Sequence, residues 1–427
     1  MKAAASRDVP SGYANYVLAV LLLAYVLNFV DRQIVSILLQ PIKEELGASD
    51  AAMGFLSGTA FALFYAALGI PIARWADVWV RRSIIAIGLA LWSGMTVLCG
   101  VAHTFAQLAG ARVGVGVGEA ALSPPAHSLI ADYFPPERRA TALGIYAMGI
   151  HLGILFGVLA GGWLEQYWGW RWAFVVVGLP GLALALLVRT TVREPLRGRS
   201  ERAIATDPAP PVADVFRFLW SLRSFRHLSF AAALTAFGGY AFANWAPTFL
   251  RRVHAMTGGE LGTKYGLALG IGGAVGSAVA GLLADRLGSS DPRWWVWVPA
   301  IAAVGPAPFT LAFFFHGDPN WALVWLLPGL ALAAFYQGPV FSTVQTLVKP
   351  RMRSVASGIL LFIMNIIGLA LGPPSVGLLN DAVFADRGPE AVRFSLVSVT
   401  LASGIWALVH YLLAARTLRD DLRAKDA

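Results

Sequence analysis

Long apolar stretches alternate with short polar segments along the whole chain. A helix needs about 20 mostly apolar residues to cross the hydrocarbon core of a bilayer. Twelve stretches approach or exceed that length, and the brief segments between them hold most of the charged residues. The pattern therefore predicts twelve spanning helices, at roughly 16–39, 51–76, 82–102, 105–132, 138–165, 170–191, 227–250, 263–287, 294–315, 321–348, 354–380 and 391–415.

The composition agrees with lipid as the solvent. Hydrophobic residues make up 57% of the chain and charged residues 13%, and the mean hydropathy is +0.64. Soluble domains carry about 25% charged residues. The lone cysteine, Cys99, excludes an internal disulfide, and the polar first ten residues do not predict a cleaved signal peptide.

The basic residues predict the orientation in the membrane. They lie between the apolar runs instead of along one polar face, so the net charge of +9 does not indicate a nucleic-acid partner. With both termini in the cytoplasm, 24 of the 33 lysines and arginines fall on the cytoplasmic side and 7 on the other, and Arg32 and Arg112 lie inside spans. The positive-inside rule then predicts a multi-pass protein of the inner (plasma) membrane with cytoplasmic termini.

One long polar interruption divides the spans into two sets of six. We expect an N-terminal bundle at 1–192, a cytoplasmic linker at 193–226 and a C-terminal bundle at 227–427. The apolar residues of 212–222 share one helical face, which predicts an amphipathic helix on the membrane surface; a plain solvated tether is the alternative.

The two sets of spans repeat each other. Three short motifs recur about 210 residues later, and their first occurrences begin at Asp77, Arg139 and Gly153. Parallel repeats of six helices are typical of one large class of transporters. The predicted fold class is an all-α membrane protein with twelve transmembrane helices in two pseudo-symmetric six-helix bundles.

Four charged residues lie well inside predicted spans, all in the first half: Asp31, Arg32, Arg112 and Glu119. A central charge costs roughly 2.5–3.5 kcal/mol on insertion, so these side chains should pair. Arg112 and Glu119 are two turns apart on one helix, about 10 Å, and each must find its partner on another helix. The first span supplies Asp31 and Arg32.

Buried carboxylates beside arginines can exchange protons near neutral pH. We therefore expect Asp31 and Glu119 to carry coupling protons, and Arg32 and Arg112 to hold those carboxylates or an anionic substrate headgroup. A static ion network that only fixes helix packing is the alternative. Polar and aromatic residues of several spans are candidates for lining a substrate cavity, or for ordinary packing: Asn28, Tyr65, Tyr240, Asn244, Trp245, Tyr336, Gln337 and Asn365.

These motifs resemble the major facilitator superfamily over essentially the whole chain. The resemblance rests on the loop from Asp77 to Arg82, its counterpart from Asp285 to Gly288, and the arginine-glycine motif of 112–120. Val78 and Val80 depart from the family pattern, which usually has a basic residue and a glycine there. In that family, charged loop residues at the cytoplasmic face hold the two halves together in one state. The resemblance assigns this gating role to Asp77, Arg81, Arg82, Glu137, Arg138, Arg139, Asp285 and Arg286.

Within the superfamily, the stretches 28–33, 58–71 and 116–126 resemble the bacterial Spinster transporters. This resemblance implies secondary active, proton-coupled transport of lipid-like or amphiphilic substrates, including anionic ones, by alternating access. A proton-coupled organic-anion symporter is the alternative, because those proteins share the Asp-Arg pair and the seven-residue Arg–Glu spacing.

The sequence contains no HExxH, GxSxG or Walker motif and no cysteine-histidine metal cluster. We therefore expect no enzymatic activity, no cofactor and no metal. The expected partners are membrane lipids, protons and a small substrate, and the expected state is a monomer.

Overall fold

The computed structural model describes residues 11–195, 211–349 and 352–426, and every secondary-structure element in these ranges is a helix. The first half contains seven helices: α1 (Ser11–Leu46), α2 (Asp50–Ser57), α3 (Thr59–Val78), α4 (Arg81–Gly100), α5 (Phe105–Glu119), α6 (Ser123–Tyr133) and α7 (Pro136–Thr191). The second half contains eleven: α8 (Val212–Ser221), α9 (Arg223–His254), α10 (Gly258–Glu260), α11 (Gly266–Gly288), α12 (Trp294–Val304), α13 (Ala307–Phe315), α14 (Pro319–Ala333), α15 (Gln337–Thr346), α16 (Arg353–Met364), α17 (Gly372–Ala382) and α18 (Ala391–Asp426).

These helices form the twelve predicted spans in two pseudo-symmetric bundles of six, so the predicted fold class is confirmed. Spans 1, 3, 7 and 12 are the single helices α1, α4, α9 and α18, and α7 holds spans 5 and 6. The remaining spans are pairs: α2 with α3, α5 with α6, α10 with α11, α12 with α13, α14 with α15, and α16 with α17. A π-helical segment joins the two helices of spans 8 and 11, at Leu261–Tyr265 and Asn365–Leu369.

Nine helical stretches of the described ranges are long and apolar enough to cross a membrane. Spans 5 and 6 count as one of these stretches because they join directly at Gly169. Spans 4 and 7 are not among the nine.

Several of the predicted spans consist of two helices separated by a short break. Span 2 is interrupted at Gly58, span 4 just before Ser123-Pro124-Pro125, and span 9 at Gly305-Pro306. Proline has no N–H to donate and its ring clashes with the preceding turn. Inside a bundle, neighbouring helices can satisfy the freed backbone groups, so such breaks are tolerated at membrane depth.

Spans 5 and 6 follow each other directly. The run Pro136–Thr191 consists of two helices, as the sequence predicts, and they meet at Gly169, where the backbone is not helical. Gly169 has a φ of +79°, a conformation that glycine adopts without the strain a Cβ would cause. The direction change therefore needs only one residue.

Large apolar side chains cover the outside of the molecule, among them Leu186, Leu282 and Trp406, each more than 60% exposed. A soluble protein rarely exposes so much contiguous apolar surface. We call the end at which α1 begins and α18 finishes the linker end, and the other end the closed end. At the closed end, α1, α2 and α7 of the first half pack against α9, α10 and α17 of the second.

The predicted amphipathic helix is present as α8, in the second part of the predicted linker. It packs against α9 and α16, both in the second half. Span 7 begins at Arg223, four residues before the predicted start. Residues 196–210 of the predicted linker lie outside the described residues, and the domain boundaries stay a prediction.

Candidate functional site

A buried ion pair joins spans 1 and 4. Arg32 Nε donates to Glu119 Oε2 at 2.5 Å, and the Glu119 side chain is fully buried while that of Arg32 is 18% exposed. Glu119 is the last residue of α5, directly before the break in span 4. The structure thus brings together two of the four charged residues that the sequence singled out.

Aromatic rings surround the guanidinium of Arg32. Its Cζ lies 4.3 Å from the ring centroid of Tyr65, 4.9 Å from that of Phe61 and 5.1 Å from that of Phe29. Rings at these distances attract a cation, and more strongly where water is excluded. The arginine is therefore held by one carboxylate and by several ring faces. Its positive charge remains stabilised by the rings if the ion pair with Glu119 breaks.

The other two charged residues lie deeper in the first half. Arg112 is 2% exposed, and its Nη1 donates to the main-chain oxygen of Asp31 at 3.4 Å instead of to the carboxylate. The Asp31 carboxyl group lies beside Trp92 and Thr96 of α4, and its Oδ1 has no hydrogen-bond partner among the described residues. Within the described part of the chain, Asp31 is thus a buried acid without a direct ion pair.

Both acids are enclosed by protein, with 2% of Asp31 and 1% of Glu119 exposed. Asn28 lies next to Glu119 and is itself 1% exposed. Glu119 Oε1 and Asn28 Nδ2 have no hydrogen-bond partner within the described ranges. Buried polar atoms are normally paired, so this incomplete pairing marks the cluster as a place where protonation or a ligand can change the bonding.

The predicted cavity residues do not all lie together. Tyr240, on span 7, is within electrostatic range of Arg32 and Tyr65, which places it across the interface between the halves. Trp245 is fully buried and donates to the Pro373 main-chain oxygen at 2.9 Å, which is a packing contact within the second half. Asn244 Nδ2 donates to the main-chain oxygen of Tyr240 one turn earlier.

The last three predicted cavity residues belong to spans 10 and 11. Asn365 is 8% exposed and begins the π-helical segment of span 11. Tyr336 and Gln337 stand at the break in span 10, and Gln337 is exposed. Tyr336 is within electrostatic range of Tyr240. The tyrosines therefore form a series that begins at Arg32 and leads into the second half.

Beyond Tyr336 lies an apolar chamber inside the second half. Its volume is about 180 Å³, and spans 7, 8, 9, 10 and 12 form its walls. The wall residues are small or apolar and include Gly238, Phe242, Ala303, Leu330 and Gly404. No Asp, Glu, Lys or Arg lies in the middle of any span of this half. The site therefore combines charges on one side with an uncharged space on the other.

A second charged cluster, which we call the latch, connects the halves at the closed end. The Asp50 carboxylate accepts two hydrogen bonds from Arg252, both 2.6 Å, one from Lys43 at 2.6 Å and one from Asn380 at 2.9 Å. Arg252 and Asn380 belong to the second half, and Asp50 and Lys43 to the first. The Asp50 side chain is only 3% exposed.

Further contacts strengthen the closed end. Across the interface, Asp381 accepts hydrogen bonds from the main-chain N–H groups of Asp50 and Ala51, where α2 begins. A carboxylate at this position satisfies donors that a helix N-terminus leaves unpaired. Arg251 binds both oxygens of Glu165, at 3.0 and 2.8 Å. The latch region borders a vestibule of about 520 Å³.

Glycine backbones make direct contact beside the latch. A Cβ on Gly54 would come within 2.7 Å of the Pro373 main-chain oxygen, and one on Gly377 would collide with the Asp50 main-chain oxygen. The same happens between Gly162 and Gly258. Each pair joins one half to the other, so the halves meet here through main chain.

The sequence interpretation missed the latch. It counted Lys43, Arg251 and Arg252 only as the minority of basic residues on the outer side. That position was the available signal, because cations are disfavoured there and need a reason to be present. The acidic partners of Arg252 and Arg251 are Asp50 and Glu165, which lie 202 and 86 residues earlier in α2 and α7, so this pairing could not be read from spacing.

The predicted gating residues at the linker end are only partly described. The structure does not describe the side chains of Asp77, Glu137, Arg139 and Asp285. Arg138 and Arg286 are exposed. Arg82 donates to the Val192 main-chain oxygen at 2.9 Å.

Arg81 is 1% exposed and lies in the interior of the first half. It forms ion pairs with Asp132 and Glu194 and donates to Ser128. Through these contacts it joins the start of span 3 to the ends of spans 4 and 6. In this structure Arg81 therefore stabilises one half, not the contact between halves.

Residues 21–418 match the Major Facilitator Superfamily. The chain belongs to this family. It is a membrane transporter, and the sequence prediction that it is not an enzyme is confirmed by that membership.

The transporter is Spinster-like. It is 33% identical to a bacterial homologue of the human lysosomal transporter Spinster, crystallised in an inward-facing and unoccupied conformation, with a TM-score of 0.88 and coverage of 97% of this chain and 99% of that one. It is 36% identical to an MFS-type efflux pump of Mycolicibacterium smegmatis, over 94% of this chain and 93% of the pump. Protein spinster homolog 1 of Homo sapiens is 29% identical, over 90% of this chain and 78% of the human protein.

Proposed function

We propose that this transporter moves amphiphilic, lipid-like substrates in exchange for or together with protons. The observation that carries the proposal is the series Arg32, Tyr240, Tyr336, which leads from the buried ion pair to the apolar chamber. A charged or polar headgroup would bind at Arg32, and an apolar body would lie along the tyrosines toward the chamber. A charged group at one end of the site and an apolar chamber at the other suit a molecule with one charged end better than a small ion or a sugar.

Glu119 is the first candidate carrier of the coupling proton. In the structure this carboxylate uses one oxygen to hold Arg32, while its other oxygen has no partner among the described residues. Protonation would cancel the charge of Glu119 and weaken its hold on Arg32. The guanidinium, still surrounded by Phe29, Phe61 and Tyr65, would then be available to an anionic headgroup. Asp31 is the second candidate carrier, because its carboxyl group is also buried and forms no ion pair with any described residue.

We also propose the orientation of the transporter in the membrane and its conformational state. The 24 to 7 distribution of lysines and arginines supports a cytoplasmic linker end in the inner membrane. The latch then lies on the outer side, and the closed outer side corresponds to an inward-facing state. The similar solved structure described as inward-facing supports this assignment. The proposed state of assembly is a monomer.

The decisive test uses purified transporter in proteoliposomes with an imposed pH gradient. Glu119→Gln keeps an oxygen that can accept from Arg32 but removes the titratable group. We expect this variant to bind lysophospholipid, measured as thermal stabilisation, and to lose substrate-dependent proton movement, measured with an internal pH-sensitive dye. Glu44→Gln, at an exposed carboxylate near the closed end, is the matched control and should keep both activities.

Full proton movement in Glu119→Gln would exclude Glu119 as the carrier, and the same assay on Asp31→Asn would then test the other acid. If neither substitution alters proton movement, the charged cluster is a static packing element and the coupling part of the proposal is wrong.

A proton-coupled organic-anion symporter is the second candidate. The cis,cis-muconate transport protein of Acinetobacter baylyi is 27% identical, over 84% of this chain and 85% of that protein, and two arginines inside the spans, Arg32 and Arg112, suit a carboxylate substrate. A panel of lysophospholipids, sphingoid phosphates and small organic acids separates the candidates. Stabilisation by muconate-like acids alone, without any response to amphiphiles, would favour the second candidate.

A further inference from the structure

Helix α8 (Val212–Ser221) has three distinct faces. Val215 and Leu219 are fully buried and pack with Phe225 and Leu228 of span 7 in the core of the second half. Beside this buried face, Phe216 is 44% and Trp220 is 37% exposed. A third face carries the exposed charged residues Asp214 and Arg217. A helix with only a buried and a polar face would need no exposed aromatic pair.

The exposed aromatic residues continue the outer wall of span 7. The rings of Phe216 and Trp220 stack with centroids 5.5 Å apart, and Trp220 meets Phe230 edge-on at 6.2 Å. Phe230 is 37% exposed on α9, which spans the membrane. Because Phe230 lies near the end of that span, the aromatic patch stands where hydrocarbon gives way to headgroups. Tryptophan is enriched at that depth because its ring is apolar and its N–H is polar.

Arginines border the aromatic patch on the water side. The side chain of Arg217 is 81% exposed, and within the described ranges it forms a 3.1 Å ion pair with Asp214 of the same helix, which is 56% exposed. Arg223 is exposed and Arg226 is partly exposed at the start of α9. A basic cluster next to an apolar surface at the membrane boundary is suited to anionic headgroups.

We propose that α8 and the first turn of α9 form a binding surface for anionic phospholipid of the surrounding bilayer. Phe216, Trp220 and Phe230 enter the boundary between headgroups and acyl chains, and Arg217, Arg223 and Arg226 contact the phosphates. This surface is separate from the central ion pair and does not depend on the proposed substrate. Since α8 packs on α16, bound lipid would also fix the position of span 11 in the membrane.

The first test measures where the faces of α8 lie, in full-length transporter reconstituted into vesicles. Cys99 is buried and is replaced by serine, so that an environment-sensitive NBD dye can be attached at Ala213→Cys or, separately, at Asp214→Cys. Ala213 shares the aromatic side of the helix, whereas Asp214 lies on the polar side. We expect blue-shifted emission for the dye at position 213 and water-like emission at position 214. Water-like emission at both positions would overturn the proposal.

The second test measures lipid selectivity by titrating phosphatidylglycerol or phosphatidylcholine into the detergent-solubilised Ala213→Cys protein with its NBD label. Replacing Arg217, Arg223 and Arg226 with glutamine should weaken phosphatidylglycerol binding roughly fivefold for each arginine removed, and leave the response to phosphatidylcholine unchanged. The matched control removes three exposed arginines elsewhere at the linker end: Arg189, Arg416 and Arg423. Equal losses in the two triple variants, or no preference for phosphatidylglycerol in the unsubstituted protein, would contradict the proposal.

Discussion

The latch at the closed end offers the sharpest perturbation of the conformational equilibrium. Asp50 accepts hydrogen bonds from Arg252, Lys43 and Asn380, and two of these partners belong to the other half. Asp50→Asn keeps the shape of the side chain but removes its negative charge. The variant therefore leaves two cations facing a neutral amide while the helices remain unchanged.

The size of the effect follows from burial. Removing one partner of a buried ion pair costs roughly 3–5 kcal/mol. The side chains of Lys43 and Arg252 are 29% and 11% exposed, so solvent partly screens them and we reduce the expected cost to about 2–3 kcal/mol. At 1.36 kcal/mol for each factor of ten, the equilibrium between the shut and the open state of this end of the molecule should shift by about 30- to 150-fold.

A distance measurement across the closed end detects this shift. In a Cys99→Ser background, spin labels at His103→Cys and Gly317→Cys report on exposed loops of the two halves. Pulsed electron spin resonance of the vesicle-embedded protein should show one short distance for the unsubstituted latch. Asp50→Asn should add or enlarge a population at longer distance.

Two further variants test whether the latch holds the closed end shut. Glu44→Gln removes a charge from an exposed residue of the same vestibule and should leave the distances unchanged. Arg252→Gln should open the closed end by itself and add little to Asp50→Asn, since the two side chains form one interaction. Unaltered distances in Asp50→Asn, or effects of Asp50→Asn and Arg252→Gln that simply add, would refute the assigned role of the latch.

Three further outcomes are expected. Arg81→Gln leaves two carboxylates without their shared partner, so thermal unfolding in detergent should show a loss of roughly 3 kcal/mol, whereas the exposed Arg138→Gln should be neutral; equal stability of the two variants would contradict this. Gly377→Ala places a methyl group against backbone and should open the closed end in the distance assay, while Gly94→Ala, in open space, should not. Gly239→Leu narrows the apolar chamber and should reduce transport of long-chain amphiphiles more than of short-chain ones; an equal reduction would count against the chamber as a binding region.

The number and order of the spans could be predicted from the sequence because each needs about 20 apolar residues and the two halves repeat. The internal breaks could not be predicted in the same way. Pro124 and Pro306 stand at breaks, yet Pro71 and Pro180 lie within continuous helices. Whether proline ends a membrane helix depends on what its neighbours offer the freed carbonyl group, and that is a property of the packed bundle.

The charged pair of the central site could be predicted from the sequence for an energetic reason. A charge in the middle of an apolar run is costly, and Arg32 and Glu119 were each other's available partners. Their exact neighbours were not accessible, since Phe29 and Phe61 look like ordinary apolar residues in the sequence. The latch was not predicted, because its charges lie near the ends of helices, where any polar residue is expected.

The glycine contacts at the closed end have a mechanical consequence. Where main chain meets main chain, no side chain has to choose a new rotamer when the surfaces part or rejoin, and none loses freedom on closing. The two surfaces can therefore separate and return as preformed, rigid faces. The interface between the halves at Gly54, Gly162 and Gly377 is therefore a rigid contact of main chain. The free-energy difference between its shut and open states then depends on the few charged residues beside it.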